Sequence, residues 1–547
     1  MVQGGANLEI IEDNEVCELP ATTAMGFAMF DEIGIAEIID RRCDFDQDQR
    51  ILSPGKGVKA LIGPMFDFKR KYPLCRVRSF YATAPVKELF GVDHVNLNDR
   101  ALGAVLDTLA EADMPELMWD LSEIACEKFG LNSNVLHLDP SDFTVQKIDE
   151  VEDDGTFAVP EHSGHPKDLR IERKQYSMLG AVNGERILRY YRPFSGSTSD
   201  KEMDAAAIEF LRTRVHPGNT TIVADNKLVD DNILHNLHTI GFSFVSKLPS
   251  SYSRLMRDLV VDSACGGIMD EDPEMPGYEF YDTDSIAGNA EEKRHSFRFV
   301  ACLNTKKVPP TAKRMRGKLS ESAMVACDRI SGKVFDDPES AFTACNKMVS
   351  KFVDSPVSFS FEQVFIPAKG RYERRGRRPK DAPAPAPVFK VGIRASFSID
   401  EDALMERARR DSMIVLITNL PRADNPCRKI LRLYLDEYKV EHCYRLMKSG
   451  MGIDSMYLQT PKRVNAMMFV VAIATLIVNI CDALLRRDSA EVNTIRAIQI
   501  RMTTVSVEYT GGGDGLRIRG YRGSGAEFGE YLRRLHLTPE MLSLRVT

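Results

Sequence analysis

The spacing of hydrophobic residues indicates helices in the first part of the chain. From about residue 15 to residue 130, apolar side chains recur at helical spacing, as in "TAMGFAMFDEIGIAEIIDRRC". Asn, Asp, Gly or Pro residues separate these periodic segments, as they commonly do at helix ends. The pattern predicts a helical N-terminal region over residues 1–130.

The hydrophobic period shortens from residue 134 onwards. The segments 134–145, 175–182 and 186–194 predict strands, and the Asn-Gly pair before the third predicts a hairpin. A helix, a strand, a second helix ended by Gly241 and a further strand are then predicted, in that order, at 202–214, 220–226, 229–241 and 242–248. This order predicts an α/β fold, a mixed sheet with helices, whose first part covers residues 131–249.

Residues 250–411 are predicted to form a strand-rich insertion, because short strand-like runs alternate there with polar linkers. Two basic stretches lie in it, "TKKVPPTAKRMRGK" (305–318) and "KGRYERRGRRPKDAPAPAP" (369–387). "SMIVLITNL" (412–420) predicts a return to the sheet, so residues 412–490 form the second part of the core.

Residues 491–547 are assigned to a C-terminal tail. It contains "TGGGDGLRIRGYRGSG" (510–525), whose glycines predict a flexible loop.

The segment "LYLDEYKVEHCYRLMKSG" (433–450) predicts a helix that opens just after Pro426 and ends at Gly450. Tyr434, Glu441 and Lys448 are spaced by seven residues and return to nearly the same face, and Arg445 lies on the same stripe. Taken alone, this face is typical of an exposed charged surface, on which oppositely charged residues one turn apart stabilise the helix only weakly.

Composition is that of an ordinary globular protein, with 43% hydrophobic and 28% charged residues among 547. The net charge of −7 gives no bulk positive field, so any DNA binding must come from local basic patches. The 11 cysteines include no C-x-x-C pair and no zinc spacing, which indicates a reduced cytoplasmic setting. The acidic N-terminal stretch has no apolar core, so no secretory signal is expected.

One apolar segment leaves an alternative open. Residues 464–481, "VNAMMFVVAIATLIVNIC", carry no charge over a length close to that of a membrane helix. Asn465, Thr475 and Asn479 within it, and the lack of a second such segment, favour a helix buried in a large core. We therefore expect no membrane partner. A membrane-associated protein is the alternative, and it predicts solubility that depends on detergent.

Two acids follow predicted strands. Asp139 comes after "NVLHL" and Asp225 ends "TIVAD", and open α/β sheets place their sites at such strand ends. Each residue also has a simpler explanation, since Asp139 in "DPSD" suits a turn and Asp225 suits a helix N-cap. With Glu441 they could form a three-carboxylate cluster of the kind that holds two divalent ions about 4 Å apart for phosphoryl transfer.

Taken together, these segments resemble the DDE transposases of bacterial insertion sequences, in the group whose last motif is Y-x2-R-x3-E-x6-K. Tyr434, Glu441 and Lys448 fall on that motif with its spacing intact. "HLDPSDFTV" resembles the strand with the first Asp, and "IVADNKLVDDNILHNLHTIGFSFVSKL" the strand–helix–strand with the second. "LITNL" and "TPKRVNAMMFVVAIATLIV", on either side of the last motif, also match.

The resemblance covers most of residues 15–485, weakly at first and strongly from residue 134. Its acids are separated by 86 residues (225 − 139) and 216 residues (441 − 225). The longer gap resembles the strand-rich insertion domain of the family.

The resemblance implies a ribonuclease-H-like mixed sheet with helices, interrupted by a strand-rich insertion and preceded by a helical N-terminal region. Asp139, Asp225 and Glu441 would be catalytic and would hold two Mg²⁺ or Mn²⁺ ions. Water would cut DNA at the element ends, and the freed 3′-hydroxyl would attack target DNA. Tyr434 and Lys448 would contact DNA near the cut.

The resemblance also implies partners and a location. Arg445 and Lys227 are further candidates for DNA contacts that the motif itself does not assign. The N-terminal region would recognise the terminal inverted repeats. The expected partners are the double-stranded DNA of the element ends and of the target, bound by a homodimer in the bacterial cytoplasm, at the nucleoid.

The sequence departs from the family pattern at three positions. Glu437 replaces the motif Arg, and its carboxylate would repel phosphate or pair with a neighbouring cation. Tyr438 stands where relatives often carry Trp, and Pro140 follows the first Asp directly. A catalytically inactive DNA-binding derivative of a transposase is therefore the alternative function, and a nuclease without strand transfer is also compatible with the three acids.

Overall fold

The computed structural model describes residues 16–46, 51–67, 72–145, 174–195, 198–249, 254–267, 269–288, 290–369, 388–450, 458, 460–488, 502, 504–512, 515–523 and 525–545. The acidic N-terminal stretch up to residue 15 and the second basic stretch from residue 370 lie outside these ranges, as do residues 489–501 of the C-terminal part.

The helices of the described residues are numbered in chain order. They are α1 (Ala21–Ile33), α2 (Ile35–Arg42), α3 (Pro54–Ile62), α4 (Val77–Phe80), α5 (Val86–Phe90), α6 (Asp99–Ala110), α7 (Met114–Phe129), α8 (Asp200–Arg212), α9 (Asp231–Ile240), α10 (Arg254–Gly266), α11 (Val308–Ser331), α12 (Pro338–Val349), α13 (Glu401–Asp411), α14 (Cys427–Leu435), α15 (Tyr438–Arg445), α16 (Pro461–Asp488) and α17 (Gly525–Arg534).

The strands are numbered in the same way. They are β1 (Cys17–Pro20), β2 (Val135–Val145), β3 (Lys174–Asn183), β4 (Leu188–Ser195), β5 (Thr221–Ala224), β6 (Ser243–Lys247), β7 (Asp270–Glu271), β8 (Tyr278–Ala287), β9 (His295–Asn304), β10 (Val334–Phe335), β11 (Val357–Ala368), β12 (Val388–Ile399), β13 (Met413–Thr418), β14 (Ser506–Gly512), β15 (Gly515–Arg522) and β16 (Leu544–Arg545).

Within the described residues, one large mixed sheet has the strand order β4-β3-β2-β5-β6-β13-β9-β8-β7. Strands β2, β3 and β4 are antiparallel neighbours, whereas β5 and β6 run parallel to β2. The parallel strands are joined through helices α8 and α9, as parallel connections require. The predicted α/β class, a mixed sheet with helices, is confirmed, and the ribonuclease-H-like assignment stays a prediction.

The predicted hairpin between β3 and β4 is confirmed, and its asparagine explains the tight turn. The buried Asn183 side chain accepts hydrogen bonds from the backbone N–H groups of Glu185 and Ile187 at 2.9 and 3.0 Å. It also donates to the Leu131 carbonyl at 2.8 Å. A side chain at Gly184 would place its Cβ 2.5 Å from the Ser133 hydroxyl oxygen, so any larger residue there would displace Ser133.

Helix α16 forms the centre of the largest hydrophobic core. Among the described residues it is the one helix that is long and apolar enough to cross a membrane. Its most apolar stretch of 18 residues is, however, 100% buried inside the protein. It packs against α1, α3, α6, α7 and β4. The expectation of a buried core helix is therefore confirmed, and the N-terminal helices share this core rather than forming a core of their own.

The range predicted as an insertion is divided between two places. Strands β8 and β9 extend the large sheet beyond β13, whereas β10, β11 and β12 form a separate three-stranded sheet. That small sheet packs with α11 and α12 around its own hydrophobic cluster. The first basic stretch contains the start of α11, whose prolines fall in the first turn where their missing N–H groups cost little.

The expected flexible loop at 510–525 is wrong. Strands β14 and β15 form an antiparallel hairpin there, and β14 also pairs with β1. The alternation that buries Val507 and Tyr509 is a strand pattern. The two ends of the described chain therefore meet in one small sheet.

Replacing Phe469 of α16 by alanine should lower the free energy of unfolding by about 3–5 kcal/mol, because the ring is fully buried and stacks on Tyr191. Urea denaturation in buffer without detergent measures this loss. Phe365, 61% exposed, is the matched control, and Phe365→Ala should change stability by less than about 0.5 kcal/mol. Equal stability of the two variants, or a need for detergent, would contradict a core role for α16.

Candidate carboxylate site

Two aspartates lie at the same level of the sheet, directly after the last paired residues of the adjacent parallel strands β2 and β5. The β2–β5 register pairs Leu138 with Ala224, so Asp139 and Asp225 are the next residues on their strands. Neighbouring strands lie about 4.8 Å apart, and paired residues of parallel strands point to the same face. The sheet thus brings together two acids that the sequence separates by 86 residues (225 − 139).

The simpler explanations for the two aspartates do not describe this structure. Asp139 lies inside β2, opposite Gly180 of β3, rather than in a turn. Pro140 follows just beyond the end of the β2–β5 pairing, where β2 has lost one neighbour and a missing N–H is tolerated. Asp225 occupies the N-cap position of a short 3₁₀ turn, Asn226–Leu228, but its side chain makes no capping bond, and the N-cap of α9 is Asp230.

The predicted single helix over 433–450 is wrong. Helix α14 ends at Leu435 and α15 begins at Tyr438. Between them the N–H of Glu437 donates to the Tyr434 carbonyl at 3.1 Å, and the N–H of Val440 donates to the Glu437 carbonyl at 3.1 Å. These three-residue spacings are those of a tightened 3₁₀ turn. A π-helical turn, Leu446–Gly450, then follows α15. The seven-residue spacing therefore no longer fixes one common face.

Two tyrosines connect these helices to the aspartate strands. The hydroxyl of Tyr434, at the end of α14, donates to Asp225 Oδ1 at 3.2 Å. The hydroxyl of Tyr444, in α15, donates to the backbone carbonyl of Asp139. Gly180 leaves room for it, since a Cβ there would lie 2.9 Å from the Tyr444 hydroxyl oxygen. Each aspartate strand is thus held by a different helix of the pair.

Glu437, the residue that departs from the motif, lies near enough to the three predicted ligands for their charges to act on its carboxyl group. Partial burial, together with the negative charges of Asp225, Asp139 and Glu441, raises the pKa of Glu437 to about 8. Lys247 at the end of β6 opposes this shift. Glu441 itself is exposed in the first turn of α15. The site therefore contains a fourth carboxylate that the motif does not predict.

A fifth carboxylate, Asp204, was missed by the sequence analysis. It lies on the buried face of α8, is only 2% exposed, and its Oδ1 has no hydrogen-bond partner among the described residues. Burial, and then the charges of Asp200 and Asp139, raise the pKa of Asp204 to about 8. The signal in the sequence is an acid among the apolar positions Met203 and Ala207, which a core-facing helix rarely carries.

The predicted DNA-contacting cations lie around this cluster. Lys448 Nζ is 2.8 Å from the Ser141 hydroxyl and 4.8 Å from the centre of the Phe143 ring, so the chain folds it back along β2. Lys227 is exposed and forms an ion pair with Asp200 at 3.3 Å. Arg445 is exposed at the end of α15. Their roles in DNA binding stay predictions, as does that of Tyr434.

The donor atoms are of the type that a hard divalent cation prefers. Asp139, Asp225, Glu437 and Glu441 offer only oxygen atoms, which Mg²⁺ and Mn²⁺ prefer. A cation near Glu437 would also offset the repulsion that raises the pKa of that residue. No three His, Cys, Asp or Glu side chains within the described ranges are arranged to hold a metal ion, so convergence on shared ions stays a prediction.

Comparisons with known proteins add little to this geometry. Residues 25–123 match a family described as a domain of unknown function, DUF4277. No curated protein matches the chain. One solved structure with a related arrangement is a piggyBac transposase synaptic complex with hairpin DNA, at 10% identity and a TM-score of 0.36, over 89% of this chain and 82% of that one. A likeness at that distance carries no argument about function.

Asp204 should make the stability of the metal-free protein depend on pH. Its folded-state pKa of about 8 lies above the ordinary value of 3.8, so the native state binds the proton more tightly than the unfolded chain. This contribution is full below about pH 4 and is lost as pH rises through about 8. Relative to Asp204→Asn, the wild type should therefore lose stability steadily between these limits in urea denaturation with chelator present.

The exposed Glu209 on the same helix provides the control for that experiment. Glu209→Gln should show no trend relative to wild type across the same pH range. The free energy of unfolding of the wild type is compared with that of Asp204→Asn. A difference between the two that stays constant from pH 5 to pH 8.5 would contradict a buried, protonated Asp204.

Proposed function

We propose that this chain is a transposase, a metal-dependent DNA nuclease and strand transferase that acts at the ends of an insertion sequence. The observation that carries the proposal is the in-register pairing of β2 and β5, which sets Asp139 and Asp225 side by side. The segment with Glu441 lies against the same strands, anchored by Tyr434 and Tyr444. The order of the three acids along the chain is the one that the resemblance to DDE transposases implies.

In this proposal Asp139, Asp225 and Glu441 hold two Mg²⁺ or Mn²⁺ ions. Such ions lower the pKa of a bound water or hydroxyl and stabilise the leaving oxygen of a phosphodiester. The residues of the chain position these carboxylates beforehand: Tyr434 orients Asp225, and Tyr444 fixes the backbone of β2 at Asp139. Water cuts the strand at the element end, and the freed 3′-hydroxyl then attacks a phosphate of target DNA.

DNA binding is proposed to rest on local basic surfaces, because the whole chain carries a net charge of −7. Residues 305–320, at the start of α11, contain no Asp or Glu. Their exposed cations are Lys306, Lys307, Lys313, Arg314, Arg316 and Lys318. This surface, called here the α11 basic surface, is a candidate for contact with the DNA backbone.

Other parts of the proposal follow from the resemblance. The N-terminal region would recognise the terminal inverted repeats, and a homodimer would hold two element ends in the bacterial cytoplasm. The second candidate is an inactive DNA-binding derivative, which the replacement of the motif Arg by Glu437 favours. A nuclease without strand transfer would use the same carboxylates.

Replacing Glu441 by glutamine should abolish Mg²⁺-dependent cleavage of DNA that carries an element end. The substitution keeps the side-chain size but removes the negative charge that helps to hold the ions. Binding of the same DNA in a gel-shift assay should be largely retained, because contacts to phosphates and bases elsewhere provide it. Cleavage by Glu441→Gln at the wild-type rate would remove Glu441 from the site. A wild type that binds but never cuts in Mg²⁺ or Mn²⁺ would favour the inactive derivative.

Reversing charge on the α11 basic surface should weaken DNA binding and flatten its dependence on salt. If Lys313 and Arg314 each contact a phosphate, the double change to glutamate should reduce the slope of log K against log [salt] by about 2. Fluorescence anisotropy with labelled duplex DNA at several salt concentrations measures this slope.

Arg329 is the matched control for that change, because it is an exposed cation farther along the same helix. Arg329→Glu should leave the slope near that of wild type. An unchanged slope for the double variant would exclude this surface from the DNA interface.

A further inference from the structure

We propose that Arg298 of β9 is a positioning residue of the carboxylate site, because it fixes the start of α14 and, through that helix, the Tyr434 hydroxyl that contacts Asp225. This inference rests on the proposed function and adds to it a residue that the motif does not contain. It also gives β8 and β9, which the sequence predicts as part of an insertion, a role in the site.

Arg298 lies on the face of β9 that packs against α14. Side chains alternate along a strand, so Arg298 points to the same face as Val300 and Cys302. Those two residues belong to one hydrophobic cluster with Ile430 and Leu431 of α14. The Arg298 side chain is only 5% exposed. A buried charge costs free energy unless it is paired, so the partners of this guanidinium indicate its role.

The guanidinium joins β8 to the loop between β13 and α14. Its Nε atom and one terminal nitrogen donate to the two carboxylate oxygens of Asp282 on β8, at 2.8 to 3.1 Å. The other terminal nitrogen donates to the Asn425 carbonyl at 2.7 Å and to the Leu420 carbonyl at 3.4 Å. Because Asn425 directly precedes Pro426, the N-cap of α14, this arginine ties the start of the helix to the sheet.

A second arginine of the same loop completes what is called here the Asp282 clamp, formed by Asp282, Arg298 and Arg422. Arg422 donates to the two oxygens of Asp282 at 3.0 Å each and to Asp284 at 2.6 Å. Burial alone would raise the pKa of Asp282, but the hydrogen bonds from both arginines hold that pKa below its ordinary value. Asp282 therefore stays charged and keeps both partners.

The far end of α14 carries the contact to the site. Tyr434 comes seven residues after Cys427, about two helical turns, so a tilt at the start of α14 moves the hydroxyl at its end. That hydroxyl donates to Asp225 Oδ1 at 3.2 Å, and a shift of about 1 Å would break the bond. Misplacement by about 1 Å can lower the rate of a positioned reaction by about 100-fold.

The first test follows the Tyr434 side chain and needs no activity. The tyrosines of the full chain are labelled with fluorotyrosine, and the Tyr434 signal in the fluorine NMR spectrum is the one that Tyr434→Phe removes. Arg298→Lys keeps the charge but loses the planar fork of donors, so the Tyr434 signal should move. Arg409→Lys is the matched control, because Arg409 pairs with Glu279 of β8 from α13, and this change should leave the signal in place.

The second test measures Mg²⁺-dependent cleavage at saturating concentrations of end-bearing DNA, beside the Kd for that DNA. Arg298→Lys should lower the maximal rate by about 10- to 100-fold. The Kd should stay near that of the wild type, because DNA contacts lie elsewhere. In a Tyr434→Phe background the same change should lower the rate by less than about twofold, because the hydroxyl through which Arg298 acts is gone.

The outcomes separate this inference from the function on which it rests. An unmoved Tyr434 signal in Arg298→Lys, or an unchanged maximal rate beside a wild type that cleaves, would overturn the positioning role and leave the transposase proposal intact. So would an equal loss of rate with and without the Tyr434 hydroxyl. A moved signal beside a wild type that never cleaves would support the tie between Arg298 and Tyr434 but overturn the transposase proposal.

Thermal unfolding of each variant checks that the fold is retained. If Arg298→Lys does not fold, Arg298→Met combined with Asp282→Asn takes its place, since removing both charges together leaves neither of this pair buried alone. The Tyr434 signal should move in that double variant as well, and an unmoved signal there would equally overturn the positioning role.

Discussion

Two carboxylates that leave neighbouring parallel strands at the same level repel each other, and the surrounding structure holds them together against that repulsion. The pairing of β2 with β5 sets their backbone separation. Tyr434 donates a hydrogen bond to Asp225, and Tyr444 ties the backbone of Asp139 to α15. The Tyr434 hydrogen bond stabilises the negative charge of Asp225 without neutralising it, which leaves room for a cation.

The rigidity of this arrangement comes from the core behind it. Helix α16 lies in the largest hydrophobic cluster, and its buried Asn479 donates to the Cys443 sulfur of α15 at 3.1 Å. The same helix packs against α3, α6 and α7 of the N-terminal region. The helices at the start of the chain therefore support the glutamate-bearing segment through α16, although they lie more than 300 residues away in sequence.

Local patterns in the sequence predict much of the fold. The strands that carry the aspartates, the Asn-Gly hairpin, the end of α9 at Gly241 and the burial of α16 all depend on signals within a few residues of one another. The addition of β8 and β9 to the large sheet depends on pairing with β13, more than 100 residues later, and no local pattern encodes that choice.

The site was harder to predict than the sheet. No Gly or Pro lies between Leu435 and Tyr438, so nothing in the sequence marks the break between α14 and α15 at Glu437. Tertiary contacts by Tyr434 and Tyr444 decide it. Asp204 was missed for a related reason, because its importance comes from its burial near Asp139, and α8 alone does not show that neighbour.

We propose that Asp139 of β2, Asp225 after β5 and the α14–α15 segment together bind divalent ions. The most direct measurement is an anomalous-difference map from crystals grown with Mn²⁺ and element-end DNA. Manganese peaks are expected between Asp139 and Asp225, with at least one glutamate of the α14–α15 segment as a ligand and a DNA phosphate beside them. Bound DNA without a manganese peak at these aspartates, or manganese held only by residues elsewhere, would contradict it.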